Sequence, residues 1–156
     1  MNRIKKIVFA ALAAAALTGA AGAAHLDRPV QGSSSAASEV VRLTNSARSQ
    51  NGYAALVEDG ALSDAAAVRA REIARSFSHT RPSGASFSSA LSESGVTYLR
   101  AGENIASGQK SASEVVNAWM NSPGHRANIL NSSYSRIGSA SVNIDGTLYW
   151  VQLFAD

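Results

Sequence analysis

The chain has 156 residues, 46% hydrophobic and 16% charged, which suits one domain with its own core and leaves little room for a second. Fourteen Lys and Arg against eleven Asp and Glu give a formal net charge of +3. Cysteine is absent, which excludes disulfide staples, thiol nucleophiles and thiolate metal ligands, so the core has to hold the fold.

Residues 1–24 have the order of a secretory signal peptide. Arg3, Lys5 and Lys6 form a basic start, Ile7 to Leu17 run apolar without a charge, and Ala21-Gly22-Ala23 offers a small-residue cleavage site. A membrane span needs about 20 strongly apolar residues, whereas the stretch from Ile7 to Ala24 is mostly Ala and Gly. Leu17-Thr18-Gly19 is followed by Ala20 where a lipid anchor needs cysteine. The expectation is a secreted or periplasmic protein with no stable membrane anchor. Cleavage removes three of the fourteen basic residues and no acid, leaving eleven of each. The high pI therefore belongs to the export signal, and nucleic acid is excluded as a partner.

Residues 25–37 are rich in Ser and Ala and read as a flexible leader, so the domain is expected over 38–156. Ser38 is the expected N-cap of a first helix with Val40, Leu43, Thr44 and Ala47 at helical spacing, stopped by Asn51-Gly52. A second helix follows Asp59. Leu62, Ala66, Ala70, Ile73 and Phe77 form its apolar face, and Asp64, Arg69, Arg71, Glu72 and Arg75 its wet side. A short helix near Phe87–Ser94 ends at Gly95, and Glu103 to Ser107 suit a short strand. Ser111 and Glu114 have the spacing of a capping box for a helix with Ala112, Val115, Val116 and Trp119 buried. Pro123-Gly124 is expected to end it, with a brief helical turn over Arg126–Leu130. Ile137 to Ile144 and Leu148 to Phe154 flank Asp145-Gly146, the dipeptide of a type I′ hairpin. The second of these strands is apolar on both faces and should be central, covered on both sides. Helices before a doubly covered hairpin indicate an α+β layered domain.

Four ordered stretches carry a family resemblance: FSHTRPSG at 77–84, AGENIASG at 101–108, VVNAWMNSPGHRANIL at 115–130 and YWVQLFAD at 149–156. With VVRLTNSARSQNG at 40–52 they resemble bacterial domains of the CAP superfamily, the cysteine-rich secretory, antigen 5 and pathogenesis-related group, as SCP-like extracellular proteins. The resemblance implies a three-layer α-β-α sandwich around a central antiparallel sheet. It also implies that His79, Glu103 and His125, separated by 24 and 22 residues, meet in one cleft. They match three members of the family's tetrad of two histidines and two acids; the fourth position is Ser122, so the second acid is missing. Glu114 is better explained by capping.

Two neutral imidazoles beside a carboxylate suit Zn²⁺ or another divalent metal. Glu103 then serves as a ligand, as the orienter of an imidazole N–H, or as a base toward bound water. The plainer alternative has both histidines bonded to backbone at helix ends and Glu103 satisfying buried amides. Ser78 and Ser122 lie near His79 and His125, but no G-x-S-x-G elbow is present. Cleavage after Ala24 would make His25 the mature N-terminus, a position able to chelate copper, whereas cleavage after Ala23 would not. Arg126 and Asn128 read as braces of the turn after the cleft, and Trp119 and Trp150 as core. Three functions stay open. The first is a non-catalytic module binding a metal and an extracellular ligand such as a lipid or cell-envelope fragment. The second is a metal- or serine-dependent hydrolase of peptide or envelope material, and the third a purely structural or partner-binding domain.

Overall fold

Residues 35–156 are described by the computed structural model; the signal segment, most of the leader and His25 lie outside the described residues. The elements run α1 (Ala36–Gln50), β1 (Val57–Glu58), α2 (Gly60–Arg75), α3 (Ser88–Glu93), β2 (Ala101–Ser107), α4 (Ala112–Met120), α5 (Pro123–Ile129), β3 (Arg136–Ile144) and β4 (Thr147–Ala155). The sheet order is β1-β3-β4-β2. β3, β4 and β2 are antiparallel, and the two-residue β1 adds to β3 in parallel.

The hairpin between β3 and β4 turns as its dipeptide predicts, with φ of 50° at Asp145 and 81° at Gly146. β4 is central, and its pleat divides the core. Trp150 and Phe154 pack with Val40, Val115, Trp119 and Ile129 from α1, α4 and α5. Val151, Leu153 and Ala155 pack with Leu62, Ala66, Ile73 and Leu91 from α2 and α3 on the other face. Two apolar clusters on opposite sheet faces make the α-β-α sandwich. The sheet is closest to α2 at Gly138, where an added Cβ would lie 2.2 Å from the backbone carbon of Leu62.

Several local expectations shift. The N-cap of α1 is Ser35, whose Oγ accepts from the Ser38 N–H, so the helix begins two residues inside the stretch read as leader. Ser38 loses the role because its own N–H is one of the first-turn donors being capped. Pro123 opens α5 instead of merely closing α4. Its missing N–H costs nothing at the first helical position, so the Pro-Gly stop in the sequence is also a start. Phe77 falls beyond the end of α2 and is 54% exposed. Arg69, placed on the wet side from its charge, is fully buried. The Ser111 cap forms, its Oγ accepting from the Glu114 N–H, while Glu114 Oε2 accepts from Lys110 N one residue before the cap.

Candidate functional site

Edge strand β2 organises the site because neighbouring side chains on a strand leave by opposite faces. Glu103 faces α2 and Asn104 faces α1 and α5. Glu103 Oε2 accepts from Arg69 Nε at 2.7 Å, and Oε1 accepts from Arg69 Nη2 at 3.2 Å. Arg69 also donates to Glu72 Oε2 and to the Ser78 carbonyl, each at 2.7 Å. Burial works against its charge, but the two carboxylates outweigh that and hold its pKa above the ordinary arginine value. The signal was legible in phase rather than in charge. Arg69 stands three residues after Ala66 and four before Ile73, in register with the buried stripe.

His79 lies four residues beyond α2, at the base of a loop closed by Phe87 N–H donating to the His79 carbonyl at 3.0 Å. Arg81 pins that loop by reaching back to Glu72 at 2.8 Å, and to Glu93 and Ser89 at 2.7 Å. Glu72 and Glu93 raise the Arg81 pKa above the usual arginine range. His79 Nδ1 meets Glu103 Oε1 at 2.8 Å. The carboxylate accepts, so Nδ1 is the donor, and the side chain is 57% exposed.

His125 stands in the first turn of α5, and its Nδ1 lies 2.9 Å from Ser122 Oγ. Ser122 is the N-cap residue of that helix, but its hydroxyl makes no capping bond and is left for the imidazole. Desolvation, and second repulsion from His79, push the His125 pKa below 6.5. The folded pKa lies below the unfolded value, so the unfolded chain binds more protons just under pH 6.5. The stabilisation from a neutral ring is thus present above the unfolded pKa and lost as pH falls through the folded one. Following the His125 Cε1–H resonance by NMR is expected to give a midpoint below 6.5, raised part of the way back in His79→Gln. A midpoint at or above 6.5 in the parent would refute the desolvated ring.

His79 meets Glu103 of β2, the His125 carbonyl accepts from Asn104, the next residue of that strand, and Ser122 joins through His125. They do not form a single chain. Glu103 pairs with His79 and Ser122 with His125, so no serine–histidine–acid relay passes through one imidazole. Ser78 Oγ instead accepts from Thr80 N–H. Among the described residues, no three His, Cys, Asp or Glu side chains are grouped to hold a metal ion. Glu103 has both oxygens engaged, Oε2 by Arg69 and Oε1 by Arg69 and His79. Among the described residues, Nε2 of His79 and of His125 has no hydrogen-bond partner. Beside His125 is a cavity of about 340 Å³ lined by Phe77, Ile105, Ala118, Trp119 and Ser122. Trp119 is core as expected, and Phe77 joins the cavity wall as a residue that helical phase assigned to the interior. Asn128 braces the site as expected, donating to the Glu103 carbonyl, whereas Arg126 reaches the Asn51 side chain. Asn104, Gln152 and Arg81 drew no attention in the sequence, because an amide or a guanidinium declares its partners only once the chain is folded.

The family model described as "Cysteine-rich secretory protein family" (CAP) matches residues 41–154. The uncharacterized protein YkwD of Bacillus subtilis (strain 168) is 42% identical over 118 residues, covering 74% of this chain and 45% of that protein. The chain spans less than half the length of the curated relatives it matches. Among solved structures, an extracellular protein containing a SCP domain from Bacillus anthracis str. Ames superposes with a TM-score of 0.70 at 28% identity. The match covers 77% of this chain and 40% of that one. A structure described as NaASP2 with Zn²⁺ shares the fold, with a TM-score of 0.58 at 16% identity over 81% of this chain and 82% of that one.

Proposed function

The chain belongs to the cysteine-rich secretory protein (CAP) family, and on that premise we propose that it is an exported, non-catalytic binding module. In this reading His79 and His125 hold a divalent metal at the mouth of a cleft that takes an extracellular ligand. The observation that carries the reading is the pair of imidazoles whose Nδ1 atoms both have protein partners, Glu103 Oε1 at 2.8 Å and Ser122 Oγ at 2.9 Å. An imidazole whose Nδ1–H is given to a carboxylate presents a more basic Nε2 in a fixed orientation, the usual arrangement around zinc. Two protein donors leave the remaining positions to water and ligand. The metal would contribute Lewis acidity and charge toward a bound oxygen or nitrogen. The fold-sharing structure bearing Zn²⁺ in its description supports the choice of metal.

Export rests on the basic, apolar, small-residue order of residues 1–24 and on the extracellular SCP-domain relative. Among the described residues no helix is long and apolar enough to cross a membrane. The cavity lies at the small end of ligand pockets, which span roughly 300–1,000 Å³. That size, with the exposed Phe77 ring on its wall, favours a small fragment of lipid or cell envelope. Binding is favoured over serine hydrolysis because Ser122 and Glu103 serve different histidines.

Titration calorimetry of zinc into the purified protein tests the reading. Saturable binding of one zinc is expected, weakened at least about tenfold in His79→Ala or His125→Ala and lost in the double variant with unchanged circular dichroism. Equal binding by the double variant and the parent would remove the cleft as the metal site.

A further inference from the structure

A second set of polar side chains lies behind the cleft, on the opposite face of β2 from Glu103 and Arg69. Thr44 of α1, Gln152 of β4 and Asn104 of β2 are all fully buried. Asn104 and Gln152 are register partners, so their amides sit side by side across two strands. Thr44 Oγ1 donates to the Val40 carbonyl at 2.8 Å, and Gln152 Nε2 donates to Thr44 Oγ1 at 2.6 Å. Asn104 Nδ2 donates to Gln152 Oε1 at 3.1 Å and to the His125 carbonyl at 3.2 Å. Asn128 Nδ2 donates to Asn104 Oδ1 at 2.9 Å.

The direction of every bond in this row follows from its first member. The Thr44 hydrogen is committed to its own helix, so its oxygen has to accept, which turns the NH₂ of Gln152 toward α1. The Gln152 oxygen then faces Asn104 and turns the Asn104 NH₂ toward both Gln152 and His125. Flipping either amide would set donor against donor at one end and acceptor against acceptor at the other, among fully buried side chains. An apolar pair would fill the same space without that risk, so the amides carry directional information that a hydrophobic core lacks. The row ends on the backbone of the residue whose imidazole faces the cleft. Arg48 secures the far end of α5 through the Ile129 carbonyl at 2.7 Å and Ser122 Oγ meets the His125 ring at 2.9 Å, while the amide row holds the His125 backbone carbonyl.

We propose that Gln152 and Asn104 are positioning residues that set His125 against His79, with Thr44 fixing the direction of the amides. The use of that placement for metal rests on the reading above, whereas the placement itself does not. His79 is held by the side chains of Glu103 and Arg69 on the other face of β2, and the row meets that side only through Asn128, which also donates to the Glu103 carbonyl. Disturbing Gln152 or Thr44 should therefore move His125 more than His79.

The test compares Gln152→Met, Thr44→Val and Thr44→Ser with the parent, first by ¹H–¹⁵N imidazole NMR without metal, then by zinc titration. Gln152→Met and Thr44→Val are expected to shift and broaden the His125 ring signals while those of His79 stay in place. Thr44→Ser keeps the hydroxyl and should restore the parent spectrum. Zinc affinity should fall about tenfold in the first two variants and not in the third. Ring signals unchanged in folded Gln152→Met and Thr44→Val, or perturbed equally at both histidines, would overturn the proposal. If Gln152→Met does not fold, Thr44→Val decides alone. A parent that takes no zinc defeats the metal reading and leaves the NMR result standing as the test of positioning.

Discussion

Replacing Arg69 with Met is expected to cost about 3–5 kcal/mol of stability, measured by urea unfolding, because it leaves a buried carboxylate without its cation. The guanidinium has four acceptor contacts at 2.7–3.2 Å, two on Glu103, one on Glu72 and one on the Ser78 carbonyl. Glu103 and Arg69 side chains are both fully shielded from solvent, so water cannot replace what is lost. The companion result decides the cause. Arg69→Met combined with Glu103→Leu should recover most of the loss, since two apolar groups of similar volume replace a pair that was costly to desolvate. That double variant should also release His79 and weaken zinc binding. An effect under about 1 kcal/mol for Arg69→Met, the size typical of exposed charges, would return Arg69 to the solvated face that its charge suggests.

Gly138→Ala is expected to destabilise the domain by at least about 3 kcal/mol, the upper end of the usual overpacking range. The new methyl would stand 2.2 Å from Leu62 backbone carbon and 2.3 Å from Ser63 nitrogen. Those atoms belong to the first turn of α2 and cannot rotate away as a side chain would. Relief requires α2 to lift from β3, which would also withdraw Arg69 from Glu103. Gly60→Ala is the control. Gly60 is the first residue of α2 with nothing within 4 Å of an added Cβ, and Ala there should be neutral or stabilising by up to about 1 kcal/mol. Similar losses from both substitutions would mean that the α2–β3 approach is looser than these distances state.

The sequence was most legible where a local rule had one solution. The Asp145-Gly146 hairpin, the helix start after Asp59, the Ser111 cap and the apolar stripe of α4 all formed as their patterns require. It was least legible where one feature served two purposes. Pro123 reads as a stop because it cannot continue a helix, yet the same missing N–H suits a helix start. Phe77 continued the apolar spacing of α2, but the helix ended before it, so its ring became part of the cleft wall. The Ser35 cap lay in a Ser-rich stretch where composition could not choose among hydroxyls.

Taken alone, the sequence determined the α+β class, the central place of β4, and the identity of His79, Glu103 and His125 as residues to examine. Those conclusions rest on periodicities of two and 3.6, on turn chemistry and on ordered motifs, all of which act over a few residues. Tertiary structure alone decided which histidine the carboxylate serves, that Arg69 pairs with it, and that Asn104 ties the His125 backbone to α1. Each of these is a contact between residues 21 to 108 positions apart. Partners at such distances are selected when the β2 pleat sends Glu103 and Asn104 to opposite faces and the packed helices close over each. That pairing is a property of how three layers stack, and no local pattern encodes it.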